Sequence, residues 1–286
     1  MLRIALPNKG RLVEETRELF ADAGLDVRAT SDRALIASLG GEFEALFVRA
    51  QDIPEFVADG AADAGVTGWD LIRESARALS SRIDLGFGRC RLVVAAREDL
   101  AATSLADLAG TPRVATAFPR LTQEFFARQG LSIEIVPVSG AAEIAPHLGI
   151  ADVIVDLTQT GSTLRVNGLR EIATILESSA RLVTALEHPD PAKARALEEL
   201  EAALSSVLRA RGKRYVMANV PRAHLDRVRR VLPGLNGPTV VDILDGDAMV
   251  AVHAVVSAEA IFRTIADLKS LGAEGILVTR IERLMP

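Results

Sequence analysis

Val153-Ile154-Val155 is an apolar run that ends in a carboxylate, Asp156, and continues as Leu157-Thr158-Gln159-Thr160-Gly161-Ser162-Thr163. Ligands of open α/β sheets bind at the carboxyl ends of the strands, so this spacing presents Asp156 to such a site. Free backbone N–H groups with the hydroxyls of Thr158, Thr160, Ser162 and Thr163 can ring a phosphate. Gly161 lets the backbone come close to it. Asp156 is then placed to accept hydrogen bonds from ribose hydroxyls. The same residues could instead form a Thr-rich turn whose hydroxyls satisfy their own backbone.

Asn8-Lys9-Gly10-Arg11 is the second segment with chemical content. Lys9 and Arg11 stand where a helix begins, and its dipole disfavours cations there by roughly 0.3–1 kcal/mol. A bound polyanion would turn that placement into a binding device. The other reading is that both side chains reach into solvent or pair with Glu14 and Glu15. Arg49 closes an apolar strand, as a surface terminus or a cleft cation. Asp70 follows Gly65-Val66-Thr67-Gly68 at a helix start, as an N-cap or a ligand contact. Glu143 lies among the small residues Gly140, Ala141 and Ala142, as a cleft carboxylate or an exposed helix residue, and Pro146 implies a kinked or late-starting helix. Cys90 precedes an apolar strand and reads as a small buried hydrophobe.

These residues need a scaffold, and its grammar is legible. Arg3–Leu6 reads as a strand. In the helix that follows, Leu12, Thr16, Leu19, Phe20 and Ala23 share one face, and Gly24 stops it. Strands are expected at 34–38, 45–49, 64–67, 91–96, 113–116, 134–138 and 152–157. Helices are expected after Asp52-Ile53-Pro54, after Trp69-Asp70, over 104–110 with Ser104 as cap, and over 121–129. The alternation argues for two α/β lobes with mainly parallel sheets, joined at Gly86-Phe87-Gly88, with a cleft between them. His188-Pro189-Asp190-Pro191 marks a boundary. Leu197, Leu200, Leu204, Val207 and Leu208 then form one helical face ending at Gly212. The remainder reads strand 214–219, helix 222–231, strands 239–244 and 249–256, helix 257–271 and strand 275–281. That order, βαββαβ, is ferredoxin-like.

Composition narrows the chemistry. The 286 residues carry 33 Lys plus Arg against 38 Asp plus Glu, a net charge of −5, which disfavours non-specific nucleic-acid binding. The single cysteine excludes an intramolecular disulfide and a multi-thiolate zinc site. The four histidines lie far apart, so a histidine metal site or triad has no sequence signature. No stretch of about 18 uncharged apolar residues occurs, so no membrane span is expected. Met1–Pro7 holds too few apolar residues for a signal-peptide core, which points to a cytoplasmic protein.

Glu143 to Leu164, read together with Pro7–Leu12, Asp52-Ile53-Pro54, Gly65–Gly68, Leu85–Leu92 and Val114–Thr116, resembles the ATP phosphoribosyltransferase family along the whole chain. The βαββαβ tail resembles its long form. The resemblance implies a two-lobed, periplasmic-binding-protein-like core, with lobe I at 1–88 and 183–211 and lobe II at 89–182. It implies a histidine-sensing domain at 212–286. The implied reaction joins adenine N1 of ATP to C1 of phosphoribosyl pyrophosphate, releases pyrophosphate and uses Mg²⁺. It is the first step of histidine biosynthesis and is inhibited by histidine. Asp156, Thr158, Thr160, Gly161, Ser162 and Thr163 would hold phosphoribosyl pyrophosphate. Lys9, Arg11 and Glu143 would serve catalysis, Arg11 at the nucleotide, with Arg49 and Asp70 lining the cleft. Asn219, Leu235, Thr239 and Ala273 mark the neighbourhood of the histidine contacts, and Asn219 stands where the family can carry an acid. A homo-oligomer, dimer to hexamer, is also implied. Trp69 occupies a variable position.

Three rivals remain at this point. A phosphoribosyltransferase acting on a free base usually carries paired acids before its Thr-Gly-Thr turn, where this chain has Val155-Asp156. A two-lobed solute-binding protein would want an export signal. A catalytically dead regulatory subunit would not need intact Lys9/Arg11 and Asp156/Thr163 segments.

Overall fold

The computed structural model describes residues 1–28, 34–100, 103–186, 190–244 and 248–285. The first elements are β1 (Leu2–Pro7), α1 (Val13–Asp22), β2 (Val27–Arg28), β3 (Ile36–Leu39), β4 (Phe43–Val48), α2 (Ile53–Ala58), β5 (Ala64–Gly68), α3 (Trp69–Ser75) and β6 (Leu79–Asp84). The chain then crosses to β7 (Cys90–Arg97), β8 (Arg113–Thr116), α4 (Pro119–Arg128), β9 (Glu134–Pro137), β10 (Val153–Thr158), α5 (Ser162–Val166) and β11 (Leu169–Ser178). It returns as β12 (Ala180–Ala185) and runs into α6 (Pro191–Ala210). The last part is β13 (Lys213–Pro221), α7 (Leu225–Val231), β14 (Thr239–Asp242), β15 (Met249–Ser257), α8 (Ile261–Ser270) and β16 (Glu274–Arg280).

Three sheets result. The first has the order β2-β3-β4-β1-β5-β12-β6, the second β11-β7-β10-β8-β9 and the third β14-β15-β13-β16. The third is the ferredoxin-like order expected of βαββαβ. The first two are mixed rather than mainly parallel. β1 runs parallel to β4 and β5, and β8 runs parallel to β9 and β10. The exceptions come mainly from the strands that carry the chain between sheets. β7 is antiparallel to β10 and β11, and β12 is antiparallel to β5 and β6.

The apolar periodicity was packed as expected. Leu12, Thr16, Leu19, Phe20 and Ala23 are all buried. Around the second sheet, Leu92, Val94, Val153 and Val155 meet Phe118, Leu121 and Phe126 on one face. Val93, Ala95, Ala115 and Ile154 meet Ala142, Ala145 and Leu164 on the other. Burying a Val- or Leu-sized side chain contributes about 1.5–3 kcal/mol, so these two-sided cores fix the register of β10 and hence the place of Asp156. The tail has its own core, Val216, Ala218, Val220, Val228, Val250, Val252 and Leu268 among others.

By contact density the chain divides into Met1–Glu201 and Ala202–Pro286, so α6 contributes residues to both units. Asp190 caps α6, its carboxylate accepting the Ala192 N–H at 2.9 Å. His188 and Pro189 lie outside the described residues. Around Pro146 there is no α-helix. Ala142–Ile144 is a single 3₁₀ turn, and Ala141 enters it with φ 51°.

Candidate functional site

Strand direction in the first unit decides which residues meet. β1, β4 and β5 are parallel, so their carboxyl ends share one edge of the sheet. Lys9 follows β1, Arg49 follows β4 and Asp70 follows β5. The Asn8 N–H donates to the Val48 carbonyl at 2.9 Å, which ties the Lys9 loop to the end of β4. Lys9 and Arg49 are both exposed, and neither has an ion-pair partner among the described residues.

Arg11 is neither free in solvent nor paired along its own helix. It does not pair with Glu14 or Glu15. Its Nη2 donates to Asp70 Oδ1 at 3.0 Å, and its Nη1 donates to the Gly88 carbonyl. The Arg11 side chain is 28% exposed and that of Asp70 is 1% exposed. Asp70 is not the helix cap either, because Gly68 holds that position. Its Oδ1 also accepts the Ser178 hydroxyl at 2.5 Å, while Oδ2 is buried with no hydrogen-bond partner among the described residues. Two glycines make room for this pair. A methyl on Gly68 would overlap Asp70 Oδ1, and one on Gly88 would overlap the Leu12 side chain.

Cys90 is buried beside this group, as expected. Burial pushes its thiol up, against the nearby Arg11 guanidinium. Two cations stand over the Trp69 ring, Arg73 at 5.7 Å and Arg181 at 5.5 Å from its centre. Such contacts are worth about 0.5–1 kcal/mol at exposed sites.

The second group surrounds the end of β10. Asp156 is half-buried and accepts the Leu157 N–H at 2.7 Å. Burial raises its carboxyl above the ordinary value of 3.8, the Leu157 N–H opposes the rise, and the nearby Glu143 carboxylate adds to it. Glu143 is therefore a half-buried neighbour of Asp156 rather than an exposed helix residue. The loop hydroxyls do what a Thr-rich turn does. Thr158 Oγ1 accepts the Gly161 N–H at 2.9 Å, and the Thr160 hydroxyl donates to Ser162 Oγ at 3.0 Å. Gly161 has φ 74°, the left-handed region that favours glycine. Thr160, Ser162 and Thr163 remain exposed, so the folded turn still presents hydroxyls outward. No hydrogen bond or ion pair joins this group to Arg11 or Asp70 among the described residues.

In the second unit, Asn219 lies opposite Ala251 on β15 and Glu274 on β16. Its Nδ2 would stand 3.7 Å from a Cβ at Gly275. Thr239 lies opposite His253, and Leu235 is exposed in the turn before β14. Ala273 is buried in the tail's core, so it offers backbone rather than side chain. Sequence reasoning missed Ser178 and the Gly88 carbonyl as partners of the Arg11 site. Neither has a local signal, since both are set by strand pairing far along the chain.

Two α/β lobes with cations and carboxylates at their strand ends, followed by a ferredoxin-like tail, define a two-lobed enzyme core carrying a small accessory domain. The profile of the ATP phosphoribosyltransferase family matches residues 49–206, and that of the HisG C-terminal domain matches 210–283. An ATP phosphoribosyltransferase of Gemmatimonas aurantiaca is 69% identical, covering 100% of both chains. One of Halobacterium salinarum is 51% identical over 99% of this chain and 100% of its own. Among solved structures, a chain of the ATP phosphoribosyl transferase (HisG:HisZ) complex from Thermotoga maritima is 28% identical. It aligns with a TM-score of 0.62, covering 72% of this chain and 99% of its own. The chain belongs to the ATP phosphoribosyltransferase family, in the long form that carries the C-terminal domain.

Proposed function

We infer that this chain joins adenine N1 of ATP to C1 of phosphoribosyl pyrophosphate, the first step of histidine biosynthesis. The observation that carries the reading is Asp156 near the carboxyl end of β10, two residues before its last residue Thr158, which leads into a turn that exposes hydroxyls beside Gly161. Family membership over the full length supports it. The C1–O bond to pyrophosphate breaks, the N1–C1 bond forms, and the bonding pair leaves with pyrophosphate. Adenine N1 is unprotonated at neutral pH, so no strong base is needed to make the nucleophile. The work left to the protein is alignment and charge stabilisation.

In this reading Asp156 faces the ribose hydroxyls, and Thr158, Thr160, Gly161, Ser162 and Thr163 hold the 5′-phosphate. Lys9 and Arg49 meet polyphosphate at the opposite sheet edge, and Arg11, held by Asp70, receives the nucleotide. Among the described residues no three His, Cys, Asp or Glu side chains cluster as a metal cage. That donor set fits Mg²⁺, which binds through substrate phosphates, water and one or two carboxylates. Glu143 is the carboxylate beside the loop that would complete its shell, and the ion would neutralise the departing pyrophosphate. Mixing the protein with ATP, phosphoribosyl pyrophosphate and Mg²⁺ should produce the near-ultraviolet absorbance of the adduct. Absence of that signal from folded protein would overturn the reading.

The tail, residues 212–286, is read as the histidine sensor, with Asn219, Leu235, Thr239 and the Ala273 backbone as its neighbourhood. A homo-oligomer from dimer to hexamer goes with it. No described helix is long and apolar enough to cross a membrane. Cytoplasmic placement follows from the proposed pathway. Added histidine should inhibit the full chain, and an inter-site coupling of about 1–3 kcal/mol corresponds to roughly 5–150-fold in affinity. In Asn219→Ala the half-inhibiting histidine concentration should rise while the uninhibited rate stays unchanged. An unmoved inhibition curve would remove Asn219 from the sensor.

A further inference from the structure

Ser178 has no assigned role, yet its hydroxyl makes two bonds to one residue. It accepts the Asp70 N–H at 3.0 Å and donates to Asp70 Oδ1 at 2.5 Å. Both the backbone and the carboxylate of Asp70 are thereby fixed. The other carboxylate oxygen is buried with no partner among the described residues, so the orientation of Asp70 depends on what binds Oδ1. Only two donors do so among the described residues, Ser178 and Arg11.

The place of Ser178 in the fold gives this bond its meaning. It is the last residue of β11, where the chain crosses back to the first sheet, and it is 6% exposed. In register it pairs with Cys90, the first residue of β7, where the chain first crossed. Gly88, whose carbonyl takes the other end of the Arg11 guanidinium, lies two residues before Cys90. The planar fork of Arg11 is thus held at two points: Gly88, on the first crossing, and Asp70, which Ser178 on the second crossing holds in turn.

We propose that Ser178 is a positioning residue for the nucleotide: it holds the Asp70 carboxylate, and through it the Arg11 guanidinium, in the geometry that receives the ATP polyphosphate. The proposal rests on the reading of Arg11 as the nucleotide contact. Among the described residues Ser178 makes no hydrogen bond to the Asp156 loop, so its effect is selective between the two substrates. Removing the hydroxyl leaves Oδ1 with one donor and frees the carboxylate to rotate, which loosens Arg11.

The test is steady-state kinetics of the full chain. In Ser178→Ala, loss of a hydrogen bond to a charged group should raise the KM for ATP by about tenfold. The KM for phosphoribosyl pyrophosphate should stay unchanged. Ser178→Cys keeps the size with a weak S–H donor and should fall between. Equal rises in both KM values, or no rise for ATP, would overturn the proposal, because a general packing defect does not choose between substrates.

A second measurement stands apart from the proposed function. Ser178 and Arg11 both donate to Asp70 Oδ1, so the Tm losses of Ser178→Ala and Arg11→Ala should be non-additive, and the coupling should shrink once Asp70→Ala removes that acceptor. Additivity in both backgrounds would overturn the proposal. If the wild-type chain makes no adduct while the Tm coupling holds, the reading of the reaction fails and the positioning of Arg11 by Ser178 stands.

Discussion

Replacing Asp156 by asparagine slows the reaction and raises the melting temperature of the unliganded protein. The first effect comes from the ribose. A hydrogen bond to a charged group is worth about 1.5–3 kcal/mol, so losing one costs roughly 10- to 150-fold in kcat/KM for phosphoribosyl pyrophosphate. The second effect follows from the carboxyl's own environment. Burial raises its pKa in the folded state, with Glu143 adding to the rise. The fold therefore favours the protonated acid, and the ionised form present at neutral pH costs stability. Asparagine removes that cost and can still accept the Leu157 N–H. The difference in Tm should be largest at neutral pH, shrink as pH falls through the raised pKa, and vanish below the ordinary value of 3.8. Calorimetry across pH with initial rates checks both halves. An Asp156→Asn enzyme with unchanged rate would remove the residue from the ribose site.

Arg11→Ala is expected to lose both stability and ATP affinity. The Asp70 side chain is 1% exposed and would be left with the Ser178 hydroxyl as its one side-chain donor among the described residues. Breaking a buried ion pair by removing one partner costs about 3–5 kcal/mol. Arg11 is 28% exposed, so the expected loss lies at or below the lower end of that range. Arg11→Lys should recover little, because an ammonium cannot bridge Asp70 and the Gly88 carbonyl with one planar group. Arg11→Ala with Asp70→Asn should regain part of the stability and none of the ATP affinity, since the stranded charge is gone but the cation is not restored. Denaturant unfolding separates the two effects from ATP titration at low ionic strength. Equal stability of wild type and Arg11→Ala would mean that the pair is solvated in solution.

Much of the fold was readable because periodicity and caps agreed. Leu12 through Ala23 predicted α1, Asp190 predicted the start of α6, and the βαββαβ order of the tail was found strand for strand. Where reading failed, the physical reason is local. β11 carries two register irregularities, between Glu171 and Ala173 and between Thr174 and Leu176, so its apolar residues do not alternate. β6 is a polar edge strand, and α5 has too few residues to show a period. The Asp156 loop was visible because strand end, hydroxyls and glycine are contiguous. The environment of Arg11 was not visible, since Asp70, Gly88 and Ser178 reach it from three distant segments. Helix-start grammar offered it Glu14 and Glu15 instead.

The double crossing between the first two sheets also orders events in time. β6 has β12 as its neighbour and stands at the edge of its sheet. A ribosome that has delivered everything up to Ser178 has released the whole second sheet, whose strands are contiguous in sequence from β7 to β11. The first sheet at that moment still lacks the strand that joins β6 to β5. The inserted lobe can therefore close on itself while the lobe that encloses it in sequence waits. Contacts of long sequence separation pay their loop-closure entropy late, so β12, which pairs with β5 and β6, is expected to dock after the second sheet has closed. Until then the Leu182 and Val183 side chains and their partners across β5 stay wet, and this interval is when a nascent chain is most exposed to mispairing.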